Sequence, residues 1–189
     1  MADAADTHDS TLADTPEDAA PGHSADDAAF ADVLAGNAEY AATYQMAGLQ
    51  ARAARGLGVV TCMDSRIDPL RMLGLQPGDA KIVRNAGARV SDDVLRTLVL
   101  ASHLLGVERV MVIAHTSCRV TTDSEDDVHA AIQAAGGPDT RSLRFLTTGD
   151  QRASVAADVQ RIRSWPFLGT LTVGGFVYDI DNGQLQQVC

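Results

Sequence analysis

The sequence predicts an α/β fold, a mostly parallel central sheet flanked by helices and preceded by an amino-terminal helical arm. Three observations point to it. From Leu57 onward, short apolar runs alternate with helix-length segments, the pattern that parallel strands joined by crossover helices require. The run Val110-Met111-Val112-Ile113-Ala114 is apolar on both faces, as a central strand covered above and below must be. Hydrophobic residues make up 46% of the chain but aromatics only 4%, so the core has to be assembled from Ala, Val, Leu and Ile.

Residues 1–23, rich in Ala, Asp, Thr and Pro, hold too little apolar bulk to bury and read as a disordered acidic tail, leaving 24–189 as a single α/β domain. Ser24 is placed to cap a helix with Asp26 and Asp27 in its first turn, and Phe30, Val33, Leu34, Ala41 and Tyr44 recur at roughly helical spacing. Such a stripe needs a cover, supplied by the domain itself or by a partner subunit.

Leu57 to Cys62 reads as a short buried strand, and Asp68-Pro69 as an N-cap followed by proline at the first helical position of a short helix ending near Gly74. Gln76-Pro77-Gly78-Asp79 has proline and glycine where a type II turn needs them, and residues 81–83 form the next strand, broken off by Asn85-Ala86-Gly87-Ala88. Ser91, with Asp92 and Asp93, caps a helix whose inner side carries Val94, Leu95, Leu98, Val99, Ser102 and Leu105 and which stops at Gly106. The strand through Val110 follows, closed by His115. Residues 124–135 and 151–164 read as helices, and 171–180 and 185–188 as a closing strand pair whose Asn182-Gly183 favours a tight hairpin turn.

With 25 acidic against 15 basic side chains the formal net charge is -10, and Lys81 is the one lysine, so nucleic acid is not the expected partner. No apolar run approaches the roughly 18 residues of a membrane span. Three cysteines cannot all pair and no basic segment followed by an apolar stretch opens the chain, so a reduced, cytoplasmic setting is expected. Cys189 reads as an incidental exposed thiol. Serine-hydrolase and nucleotide-binding signatures (G-x-S-x-G, G-x-x-x-x-G-K-[ST], G-x-G-x-x-G) are absent. Six positions after Cys62 and Cys118, where a cysteine phosphatase loop would want arginine, stand Asp68 and Ser124.

The chemistry concentrates in "TCMDSRIDPL", where Cys62, Asp64 and Arg66 alternate behind an ending strand. Ligands of open α/β sheets sit beyond the carboxyl ends of strands, where strand order reverses. If the strands ending at Cys62 and His115 are neighbours there, Cys118 on the next turn can face the same point. Two thiolates and one imidazole suit zinc, and three protein ligands leave a fourth position open. A cysteine behind an apolar strand is commonly just a small core residue, and Asp64 with Arg66 can be read as a structural ion pair; the combination at two strand ends favours the metal reading.

These residues resemble a known family. "CMDSR" at 62–66, "RNAG" at 84–87 and "HTSC" at 115–118 look like a β-class carbonic anhydrase, particularly its smaller members, over about residues 26–188 including "GFVYDIDNGQL" at 175–185. The resemblance implies one zinc ion per chain held by Cys62, His115 and Cys118, a parallel core of strand order 2-1-3-4 extended by a further strand, and a homodimer or higher homo-oligomer with amino-terminal helices packed across the partner. It implies hydration of carbon dioxide to bicarbonate by hydroxide generated at the zinc. Two thiolates cancel the formal charge of the metal, so the water keeps a higher pKa than it would among three imidazoles, and Asp64 has to help. Asp64 would accept a hydrogen bond from the hydroxide while Arg66 holds it ionised and oriented; in a closed resting form Asp64 would itself be a fourth ligand. Where the family commonly has glycine after the second cysteine, this chain has Arg119, which either points outward or narrows the pocket. His103 and His129 are candidate proton shuttles or structural histidines. Hydrolysis of carbonyl sulfide or carbon disulfide on the same fold, and a non-catalytic zinc or redox module, are the competing readings.

Overall fold

The computed structural model describes residues 28–189, so the tail at 1–23 and the cap expected at Ser24 with Asp26 and Asp27 lie outside the described residues. The chain divides between Ala47 and Gly48 into two units. The first carries helix α1 (Ala31–Ala42), which follows a turn at Ala29 and Phe30, has no side-chain cap and buries none of its residues. Phe30, Val33, Leu34, Tyr40 and Tyr44 are all at least half exposed, at 50–61%. The apolar stripe expected from the spacing is therefore there, and within one chain it is bare.

The second unit is the α/β body. Its sheet contains β1 (Leu57–Cys62), β2 (Ala80–Asn85), β3 (Arg109–His115), β4 (Thr172–Tyr178) and β5 (Leu185–Gln187), in the order β2-β1-β3-β4-β5. β1 runs parallel to both β2 and β3, β4 runs parallel to β3, and β5 closes the edge antiparallel to β4. Because β2 and β3 lie on opposite sides of β1, strand order reverses between β1 and β3 and opens a crevice at their carboxyl ends. Cys62, paired with Asn85, and His115, paired with Tyr178, stand at those ends.

The local rules of the sequence hold through most of this body. Asp68 caps α2 (Pro69–Met72) by accepting from the Arg71 N–H at 3.2 Å, and the Asp79 N–H reaches the Gln76 carbonyl at 3.1 Å across the expected turn, with Gly78 at φ 93°. Ser91 caps α3 (Asp92–Leu104), and Ser124 and Asp127 form a reciprocal capping box on α5 (Glu125–Ala134). Asp150 caps α6 (Gln151–Arg163), accepting from the Ala153 N–H at 3.0 Å. On α3 the buried face is Val94, Leu95, Leu98 and Ala101; Val99, Ser102 and Leu105 are only half-buried, and Ala101 was not in the expected set. The single turn α4 (Arg119–Thr122) was not expected at all.

One turn departs from expectation. Asn182-Gly183 does not form a two-residue hairpin; the connection spans residues 179–184, with the Asp179 carboxylate accepting from the Asp181 N–H at 2.9 Å and from Asn182 Nδ2 at 2.8 Å. Asp179 thus organises the backbone around its own side chain, a competitor to the tight turn that sequence spacing alone does not weigh. Among the described residues, no helix is long and apolar enough to cross a membrane.

Helices cover both faces of the sheet. On one side Val60, Val112, Leu95, Leu98, Val159 and Ile162 pack together, on the other Leu57, Val59, Leu75 and Ile113, and a third cluster of Cys62, Ile67 and Cys118 sits over the crevice. The large, fully buried side chains are Leu, Ile and Val with one exception, His115. One buried ion pair ties the layers: Arg89 Nε lies 2.7 Å from Asp158 Oδ2, and Arg89 Nη1 also reaches the Leu146 carbonyl at 2.6 Å. Truncating Asp158 to Ala leaves the Arg89 guanidinium half-satisfied in a nearly dry place, so Asp158→Ala is expected to cost roughly 3–5 kcal/mol in a urea unfolding experiment.

Candidate metal centre

At the end of β1, Cys62 is 4% exposed and its main chain is held from β2. Arg84 donates from Nε to the Cys62 carbonyl at 2.9 Å and from Nη2 to the Asp64 carbonyl at 2.7 Å, and the Met63 N–H reaches the Asn85 carbonyl at 2.9 Å. The Asn85 side chain grips Arg89 twice, accepting from its N–H at 2.9 Å and donating to its carbonyl at 2.7 Å. Between them a one-turn 3-10 helix at Ala86–Ala88 aims the Gly87 N–H at the Cys62 sulfur, 3.4 Å away. An N–H directed at sulfur favours the thiolate.

Gly87 is required there. Its φ is 75°, and a Cβ would stand 2.9 Å from Cγ1 of Val120, two residues beyond Cys118. The variant Gly87→Ala is expected to lose about 1–2 kcal/mol of stability and, because the clash pushes the two cysteine loops apart, about tenfold in metal affinity. Thermal unfolding and a competitive chelator titration read these separately.

At the end of β3, His115 is fully buried, its carbonyl held by Gln151 Nε2 at 2.6 Å. Its Nδ1 lies 2.8 Å from the Thr116 carbonyl, which can only accept, so Nδ1 carries the proton and Nε2 presents a lone pair. That Nε2 is, among the described residues, a buried side-chain nitrogen without a hydrogen-bond partner. Thr116 is fixed in turn by the Tyr178 carbonyl and by the Ile180 N–H, which donates to its hydroxyl at 3.0 Å. Ser117, at φ 54°, then reverses the chain and delivers Cys118, also 4% exposed, as the cap of α4. Strained left-handed backbone at a non-glycine residue costs on the order of 1 kcal/mol and gathers at functional sites; Ala88, at φ 58° on the facing loop, is a second case.

The Cys62 and Cys118 sulfurs and a His115 ring nitrogen lie within 4.8 Å of one another, all buried. The proximity of Cys118 favours the Cys62 thiolate despite burial, while the neighbouring Cys62 sulfur and burial together push the Cys118 thiol up. Burial lowers the basicity of His115, but the pull of Cys62 and the Thr116 carbonyl outweighs it and the net shift is upward. Two buried sulfurs and an unpartnered imidazole nitrogen gathered at one point are suited to a cation, and that donor set fits zinc.

Beside the donors stands Asp64. Arg66 grips its carboxylate at both oxygens, Nε to Oδ1 at 2.9 Å and Nη2 to Oδ2 at 2.8 Å, and adds its backbone N–H to Oδ1 at 3.0 Å. These bonds hold Asp64 well below the usual carboxylate range and raise Arg66. Asp64 Oδ2 comes within 3.8 Å of His115 Nε2 yet is not one of the three clustered donors, being engaged by Arg66. The outer end of Arg66 is steadied by the Ser117 carbonyl at 3.4 Å.

Other residues singled out in the sequence fall elsewhere. Arg119 is 78% exposed and its Nε lies 3.1 Å from Asp123 Oδ2, so it points outward from α4. His103 meets the Phe167 carbonyl at 2.8 Å, and His129 meets the Thr140 hydroxyl at 2.9 Å with its ring against Phe145, so both have partners outside the cluster. Cys189 is half-buried rather than exposed; a Cβ on Gly175 would stand 2.7 Å from its sulfur. Arg84, Gly87, Thr116 and Gln151 support the donors through main-chain contacts that sequence reading did not assign.

A soft three-donor cluster beside an oriented carboxylate, at the switch point of a parallel sheet, defines an α/β protein with a metal-binding Cys/His site. Residues 57–185 match the family model described as carbonic anhydrase, and "Beta-carbonic anhydrase 1" of Mycobacterium tuberculosis is 35% identical over 162 residues, covering 83% of this chain and 96% of that protein. The chain belongs to the β-carbonic anhydrase family. A crystal structure of a carbonic anhydrase from Streptococcus mutans superposes with a TM-score of 0.80 at 32% identity, covering 85% of this chain and 97% of that one. The carbon disulfide hydrolase of Acidithiobacillus thiooxidans is also similar, 28% identical over 153 residues and covering 70% of this chain and 76% of that protein.

Proposed function

We propose that this protein is a zinc-dependent carbonic anhydrase that interconverts carbon dioxide and bicarbonate, with Cys62, His115 and Cys118 holding one zinc ion and Asp64 and Arg66 serving the reaction. One observation carries the reading: a carboxylate locked by a guanidinium, 3.8 Å from an unpartnered imidazole nitrogen that is grouped with two buried sulfurs. Zinc, when bound there, supplies the Lewis acidity that makes hydroxide available from water near neutral pH. Asp64, kept ionised by Arg66, can only accept, so it would orient the attacking oxygen by taking a hydrogen bond from it. Met72, Ile67, Val120, Tyr178 and Ile180 pack around the two cysteines, an apolar setting suited to a small uncharged molecule. In the net reaction one water would add to carbon dioxide, a carbon–oxygen bond forming as one carbon–oxygen π bond breaks, to give bicarbonate, and the one proton released would pass to solvent. With Asp64 held by Arg66, the arrangement supports an open site rather than an Asp64-ligated resting form.

The similarity to a carbon disulfide hydrolase keeps one rival in view, because the same attack on carbonyl sulfide or carbon disulfide releases sulfide. Stopped-flow hydration of carbon dioxide and sulfide release from both sulfur substrates, on one zinc-quantified preparation, decide between them. Hydration is expected to exceed sulfide release by at least about 10²-fold in kcat/KM; the reverse ratio overturns the assignment. The bare stripe of Phe30, Val33, Leu34, Tyr40 and Tyr44 supports a homodimer in which a second chain covers it. Three unpaired cysteines support a reducing, cytoplasmic setting. Sedimentation at micromolar concentration is expected to give a dimer or larger assembly, and the double variant Phe30→Ser and Leu34→Ser a smaller one.

A further inference from the structure

At the opposite end of the sheet from the metal centre lies a second cavity, of about 510 Å³. It opens where β1, β3 and β4 begin, at Leu57, Arg109 and Thr172, which face one another in register. Its walls are apolar, from Leu57, Leu73, Leu75, Met111, Val173 and Phe176. Three arginines, Arg55, Arg109 and Arg163, also line it and are exposed to solvent. Volume and lining both match what small organic ligands occupy, an apolar chamber with a few fixed polar groups.

The charge of this lining is unusual for the molecule. The chain as a whole carries -10, yet no Asp or Glu side chain lines the cavity beside its three arginines. Among the described residues, the ion pairs of the molecule engage Arg66, Arg89, Arg96, Arg119, Arg141 and Arg161, and none engages Arg55, Arg109 or Arg163. Arg109 spends one nitrogen on the Arg55 carbonyl at 3.5 Å, and Arg163 one on the Val173 carbonyl, which draws their heads toward the cavity and leaves further donors free of any carboxylate. Guanidinium is permanently charged and shaped to take a planar or tetrahedral oxyanion at two points.

We propose that this cavity binds a small amphipathic organic anion, an apolar or aromatic body placed against Leu75, Met111 and Phe176 and an acidic head held by Arg55 and Arg109, at a site separate from the metal centre. The class is set by the lining: an apolar chamber without cations would take a neutral molecule, and cations without the chamber would take inorganic phosphate.

Fluorescence titration of the full-length, zinc-containing protein with 8-anilinonaphthalene-1-sulfonate tests this, with the uncharged N-phenyl-1-naphthylamine as the comparison. Saturable binding of the sulfonate at one per chain is expected. Arg55→Ala and Arg109→Ala are each expected to weaken it by about tenfold or more, with the neutral analogue changed less than about twofold. Zinc content and carbon dioxide hydration are expected to stay at the parent level in both variants. Should Arg109→Ala fail to fold, Arg55→Ala carries the test, because the Arg55 bonds in the structure come from its main chain and not its side chain. Absence of saturable sulfonate binding, equal affinity in parent and variants, or equal weakening of both probes overturns the proposal.

Discussion

Asp64→Asn protein is expected to purify with a full complement of zinc and to hydrate carbon dioxide about 10²–10³-fold more slowly than the parent. The amide is the same size as the carboxylate, so the packing around Cys62 and Ile67 is unaffected. What changes is the polarity of one edge: an Asn NH2 cannot accept, and the neutral amide cannot keep the two-point, charge-assisted grip of Arg66 at 2.9 and 2.8 Å. Arg66→Met should reproduce part of the loss, since it leaves Asp64 ionisable but free to turn toward the three donors. Stopped-flow hydration beside metal analysis of each preparation separates a loss of chemistry from a loss of metal. Unchanged turnover in Asp64→Asn would remove Asp64 from the reaction.

The second large effect concerns the donors. Cys118→Ala removes one sulfur and little volume, so the fold is expected to persist while zinc affinity falls on the order of 10³-fold, measured by competition with a chromogenic chelator. His115→Ala should do the same with an added stability cost of about 2–3 kcal/mol, because it empties a fully buried ring from beneath the crevice. Retention of stoichiometric zinc at parental affinity in both variants would mean that the ion is held elsewhere.

How much of this was legible in the sequence depended on the range of the interaction involved. β1 was read at its observed bounds because its apolar run ends where the short-range signals of Asp68-Pro69 begin. The cap at Ser91 is equally local. α4 escaped notice since a four-residue helix has no periodicity, and Ala101 since a methyl group carries little weight as a core marker. The donors themselves were legible because thiol, imidazole, carboxylate and guanidinium at strand ends have few structural uses in combination. The frame that holds them was not. Arg84 reaches Cys62 across 22 residues, and Gln151 reaches His115 across 36, and no spacing rule announces such pairs. Gly87 lay inside a recognised motif, yet its reason, a backbone turned toward Val120 and an N–H aimed at sulfur, appears only when the loops are folded together.

Two sulfurs and one imidazole would hold the ion, with one position left for water. X-ray absorption at the zinc edge of the purified, folded protein tests this most directly. The expected spectrum contains two sulfur scatterers, one imidazole and one light atom that exchanges with added anions. A protein with no bound zinc, or one whose fourth position stays occupied by the Asp64 carboxylate across the range of pH in which hydration is measured, would contradict it.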